Sequence, residues 1–187
     1  MKKSNMGLII VIAIVVLIGI IIMSSYNGIV SLSEDVDSKY ATIDTYLQRR
    51  ADLIPNLVST VKGYTQHEES IIDSITEARE KMTSAKTVTE KAEANDELTS
   101  ALNNLMIVVE NYPDLKASQN FIQLSDELAG TENRIATERN RYNESVQTFN
   151  AKIRKFPTSF IASIMGVEKR DYFEAQAGAD QAPSVNF

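Results

Sequence analysis

Two arginines and one histidine are the side chains in this sequence best suited to chemistry. Arg50 and Arg139 each fall where a run of apolar residues at helical spacing expects another apolar residue. A buried, unpaired guanidinium is costly, so each must meet a carboxylate or emerge at an opening, and Asp44, Asp52 and Glu132 are the partners to expect. Two readings follow. One is a polar layer that fixes helix register. The other is a ligand site near Pro55, with Arg50, Asp52, Asn56 and Arg139 as its polar groups. His67, followed by Glu68 and Glu69, has no second ligand at the spacing of a helical zinc motif, so no metal site and no cofactor are expected. Cysteine is absent, as are a glycine-rich phosphate loop and a nucleophile elbow, and no acid pair is forced together for general acid and base work. Nothing here predicts catalysis.

The elements that must position these residues begin with the run Met6–Met23, which has no charged side chain. Eighteen residues at about 1.5 Å each nearly match a hydrocarbon core of about 30 Å. A signal peptide would have a shorter apolar stretch and a better cleavage site than Met23-Ser24-Ser25, so residues 6–25 are read as a transmembrane anchor behind a flank of residues 1–5. Beyond it, Ile29, Leu32, Val36, Tyr40, Ile43, Leu47, Ile54, Leu57, Val61 and Tyr64 alternate in steps of three and four, which reads as one buried stripe of a long helix. Pro55 predicts a kink near Asp52. Gly63 and the polar residues 65–69 mark the first reversal.

A second stripe runs from Ile71 to Val109 and is weakest at residues 83–95, where packing should be loosest. Asn111-Tyr112-Pro113-Asp114 stops the chain and restarts it. The third stripe runs from Leu124 to Phe156 through Arg139, with Tyr142-Asn143 and Phe149-Asn150 repeating an aromatic–Asn pair seven residues apart. Phe156-Pro157 ends it, and a short fourth helix follows with Phe160, Ile161 and Ile164 expected inside. The predicted fold is all-α: an up-and-down antiparallel bundle of three long helices plus a short fourth over residues 26–173, preceded by one transmembrane helix. Residues 174–187 lack periodicity and read as a flexible tail.

The net charge is −6, and removing Lys2 and Lys3 leaves the body near −8. So acidic a body argues against nucleic acid or anionic lipid as its ligand. Lys2 and Lys3 before the anchor, against Glu34 and Asp35 after it, place the body outside the cytoplasm.

The stretches Arg49-Arg50-Ala51-Asp52-Leu53-Ile54-Pro55-Asn56-Leu57-Val58 and Asn111-Tyr112-Pro113-Asp114-Leu115-Lys116-Ala117 resemble the LemA family of bacterial membrane proteins. So do Thr131-Glu132-Asn133, Arg139-x-x-Tyr142-Asn143 and the closing Ala182-Pro183-Ser184-Val185-Asn186-Phe187. The likeness covers nearly the whole chain, although the Ala-Trp pair often found near Tyr40-Ala41 is missing, since there is no tryptophan. It implies one N-terminal membrane helix, a helical bundle and no established enzymatic activity. The family is also described with its short N-terminus outside, opposite to what the charges around the anchor imply. The function expected is a membrane-anchored scaffold or adaptor for protein partners or for self-assembly, in the bacterial cell membrane. The alternative is an envelope sensor with a polar pocket near Pro55. Gly7, Ala13 and Gly19 fall six apart, short of a GxxxG packing face for homo-oligomers.

Overall fold

The computed structural model describes residues 3–65 and 68–174, with side chains from Met6 onward. His67 and all of the tail except Glu174 lie outside the described residues. Six helices make up the described chain, and no strand occurs among the described residues: α1 Lys3–Lys62, α2 Glu69–Ser84, α3 Val88–Val109, α4 Pro113–Lys116, α5 Gln119–Arg154 and α6 Thr158–Ile164. The fold is an all-α bundle. Its chain divides into two compact units, one formed by residues 1–39 with 142–170 and the other by residues 40–141 with 171–187.

In the first unit, α1 carries the apolar run. Its large side chains from Met6 to Met23 are all exposed, and together they form a helix long and apolar enough to cross a membrane. Each isoleucine- or leucine-sized group left in water forgoes about 1.5–3 kcal/mol, so this stretch requires a bilayer or an equivalent apolar cover. Burial begins at Ser25 and Ile29, where α1 meets the end of α5. The two run antiparallel, for Ser145 Oγ donates to Asp35 (2.6 Å) while Lys152 lies beside Gly28, farther down. Val36, Tyr142, Val146, Phe149 and Ile153 supply the core, with Ile161 and Ala162 from α6. The α6 helix ends in a Schellman motif. Val167 N–H reaches Ala162 C=O and Gly166 N–H reaches Ser163 C=O, with Gly166 at φ +65°, where a side chain would strain the backbone.

Two expectations change here. Of Phe160, Ile161 and Ile164, only Ile161 is buried, and Phe156, placed at the end of the third stripe, is 87 % exposed. Seven residues give α6 only one inward face, and Thr158, Ile161 and Ala162 fill it. Asn150, by contrast, is a packing residue. Its amide accepts from Arg170 N–H and donates to Arg170 C=O, both at 2.9 Å, and so clasps the chain that leaves α6. The Arg170 guanidinium continues to Ser33 and Asp37 on α1.

The second unit holds the later part of α1, then α2, α3, α4 and the first part of α5. The second stripe, read from the sequence as one helix, folds as the hairpin α2–α3. Lys81 pairs with Glu97 near its turn, and Tyr112 donates to Glu68 at its far end, so the legs are antiparallel. The break comes from Thr87, whose hydroxyl accepts from Glu90 N–H while the Glu90 carboxylate accepts from Thr87 N–H and Lys86 N–H. That reciprocal cap starts a new helix more strongly than the small residues around it can continue the old one. The legs still share one apolar stripe, because Ile72, Ile75, Met82, Leu98 and Leu105 all turn to the same interior.

Candidate functional site

Polar groups converge at one level of the second unit, where α1, α3 and α5 meet. Arg50 is only 2 % exposed, in the register position the stripe reserves for an apolar residue. Its Nη1 donates to Asn95 Oδ1 (2.5 Å) and Thr99 Oγ1 (3.0 Å), and stands 2.7 Å from Glu132 Oε2. A guanidinium NH₂ has two hydrogens, and both are taken by α3, so Glu132 is held by charge rather than by a directed bond. Accordingly Glu132 Oε2 and Arg50 Nε have no hydrogen-bond partner. Burial pushes the Arg50 pKa down, against the opposing pull of Glu132 and Asp96.

The layer extends along α3. Asp96 pairs with Arg139 (3.3 Å), which also donates to the Glu174 carbonyl (3.1 Å) and lies over the buried Phe173 ring at 4.8 Å. Lys91 pairs with Asp44 and lies 5.9 Å above Tyr40. Burial raises the Tyr40 phenol pKa, with Lys91 lowering it and Asp44 raising it further. Two arginines, a lysine and three carboxylates therefore neutralise one another within one layer, which is the arrangement a register-fixing device requires.

Pro55 explains another polar contact. Lacking an N–H, it leaves the Ala51 carbonyl without its helical donor, and Arg79 Nε from α2 supplies one at 2.9 Å. The helix remains α-helical through Pro55, from Lys3 to Lys62.

Beside Arg50 opens a cavity of about 290 Å³. Leu57, Leu102, Leu105, Met106, Leu128 and Ala129 line it with the polar residues Arg50, Thr99, Asn103, Ser125, Glu132 and Asn133. Of the four sequence-derived site residues, Arg50 alone borders this cavity. Asp52 and Asn56 are exposed, with Asp52 accepting from Gln48 at 2.9 Å, and Arg139 sits with Asp96 and Phe173. Asn95, Asp96 and Thr99 were not read from the sequence. Their signal was the polar interval at residues 83–95 and just beyond, where a helix without large anchors faces an arginine at the same level. No group of three His, Cys, Asp or Glu that could hold a metal occurs among the described residues.

Residues 39–187 match the LemA family. Over 196 aligned residues the chain is 28 % identical to magnetosome protein MamQ 1 of Paramagnetospirillum magneticum, covering 91 % of this chain and 72 % of that protein. It is 25 % identical to magnetosome protein MamQ of Magnetospirillum gryphiswaldense, over 96 % of this chain and 76 % of the relative. It is 26 % identical to protein LemA of Metamycoplasma hominis, over 80 % and 68 % of the two chains.

Proposed function

Since this chain belongs to the LemA family, with a helix at its start long and apolar enough to cross a membrane, we propose that it is a membrane-tethered, non-catalytic adaptor of the bacterial envelope. Its second unit receives an apolar segment of a protein partner. The observation that carries this reading is the groove beside Arg50. Its apolar walls come from three helices locked together by the polar layer, so the recess is preformed rather than opened by the partner. Two of the relatives named above are magnetosome proteins by name, and that name states no reaction.

Photo-cross-linking from Met106 in native membranes tests the proposal. A recurrent protein neighbour is expected, and Ala129→Trp, which fills the groove from its exposed rim, should abolish that cross-link without lowering the melting temperature. Recovery of the protein without any groove-dependent neighbour overturns the reading.

A second reading, an envelope sensor for a small amphiphile, draws on Arg50 and Glu132, an ion pair whose side chains line the same groove. Such a ligand would place its apolar body against the leucines and its polar head on these two groups. Native mass spectrometry separates the readings, since a retained small molecule lost in Ala129→Trp favours the sensor. The body is assigned to the extracytoplasmic side by the charge asymmetry around the anchor, and protease digestion of intact cells tests that side directly.

A further inference from the structure

The exposed apolar corner before and on α6 is unusual for a surface that faces water. Phe156 is 87 % exposed in the turn before α6, and Phe160 (67 %) and Ile164 (71 %) are exposed on α6, where their four-residue spacing puts those two on one face. The place of Phe156 along the anchor is defined within the first unit. A groove of about 420 Å³ is lined by Ile20, Ile21, Ser24 and Ser25 of α1 together with Lys152, Lys155, Phe156, Pro157 and Thr158. The apolar run of α1 ends at Met23, so this groove lies where the helix leaves the hydrocarbon core for the headgroups. Phe156 stands beside Ile20 and Ile21, and lysines flank it.

We infer that this corner is a second contact with the bilayer that the anchor crosses. Phe156, Phe160 and Ile164 insert at the boundary between acyl chains and headgroups, and Lys152 and Lys155 meet lipid phosphates. Continuity with the exposed anchor selects lipid as the occupant, because a surface that borders Ile20 and Ile21 is already at membrane depth. The lysines belong to that environment, as long basic side chains extend to the headgroup level while their stems lie along apolar surface. The acidic balance of the whole chain does not apply locally: Lys152, Arg154 and Lys155 cluster at this end of α5, and no acid lines the groove. The inference rests on α1 being a membrane span, and the experiment separates the two.

The chain has no tryptophan, so a single substitution supplies one clean emitter. Full-length Phe160→Trp, Ile14→Trp and Glu34→Trp are reconstituted into vesicles of phosphatidylcholine and phosphatidylglycerol carrying bromine on the acyl chains. Circular dichroism verifies that each is folded. Phe160→Trp is expected to emit to the blue of a water-exposed indole and to lose most of its emission to bromines near the glycerol end. Ile14→Trp should be quenched by bromines near the chain ends, and Glu34→Trp by neither. If Ile14→Trp is quenched and Phe160→Trp is not, the second contact is refuted while the anchor stands. If Ile14→Trp is also unquenched, the anchor itself fails. A blue emission at Phe160→Trp that ignores bromine and changes with the protein-to-lipid ratio assigns the corner to a second copy, and overturns the proposal.

Discussion

At the scale of single residues, Arg50 shows how a charge can be held inside a helical bundle. Its hydrogen bonds go to neutral groups, Asn95 and Thr99, and its charge is balanced by Glu132, whose side chain is still 31 % exposed. Replacing Arg50 with Met removes the cation but leaves Asn95 Oδ1 buried and Glu132 unbalanced, so the loss should be about 3 kcal/mol. Urea unfolding of the detergent-solubilised chain measures it. The double variant Arg50→Met with Glu132→Leu should regain most of that stability, since two matched apolar groups fill the layer without stranding a charge. Asn150 works on a different principle, imitating a peptide unit towards Arg170. In Asn150→Leu the Arg170 amide should exchange with solvent at least tenfold faster, if the clasp contributes about 1.5 kcal/mol or more.

At the scale of elements, the hairpin α2–α3 depends on a cap of four residues, Thr87 to Glu90. Thr87→Ala should cost about 1 kcal/mol. The Glu90 carboxyl is held below its ordinary pKa of 4.5 by accepting from the Lys86 and Thr87 amides. A depressed folded pKa means that its contribution is complete above that value and is lost as the pH falls through the lower folded one. Stability measured from pH 6 down to pH 3 should therefore decline less steeply in Glu90→Gln. The contact between Arg79 and Ala51 is a second device of this scale. Arg79→Met should destabilise by about 1–3 kcal/mol, as befits the carbonyl of the buried Ala51 left without a donor. In a Pro55→Ala background the restored helical bond should erase most of that effect, which a double-mutant cycle reads directly.

These devices also explain what the sequence could and could not convey. Burial along the stripes was legible, since Ile43, Leu47, Ile54 and Leu57, then Ile135, Val146 and Phe149, all lie inside as their spacing requires. Continuity was not, because apolar periodicity resumes in phase on both legs of a hairpin. Only the sequence Thr87-Val88-Thr89-Glu90 marks the break, and it is a cap signature that weighs little beside a long stripe. Arg50 was legible as a polar intruder. Its partners on α3 were not, because they depend on that same hairpin bringing Asn95 and Thr99 to its level. For the whole molecule, the composition said membrane and helix, and it was silent about which corner of an acidic chain is locally basic. The anchor makes its own prediction: Ile14→Arg with Val16→Arg should abolish resistance to carbonate extraction, each charge opposing insertion by about 2.5–3.5 kcal/mol. One further property follows from how soon burial begins. Ser25 and Ile29 are already inside the protein within two turns of Met23, and α1 does not break between them. There is no leash. The first unit has no slack with which to search the surrounding volume, and whatever meets it must arrive by diffusing in the plane of the membrane or by grazing its surface. A glycine–serine spacer inserted at Ser24 would give it a fishing radius, and would trade a two-dimensional encounter for a three-dimensional one.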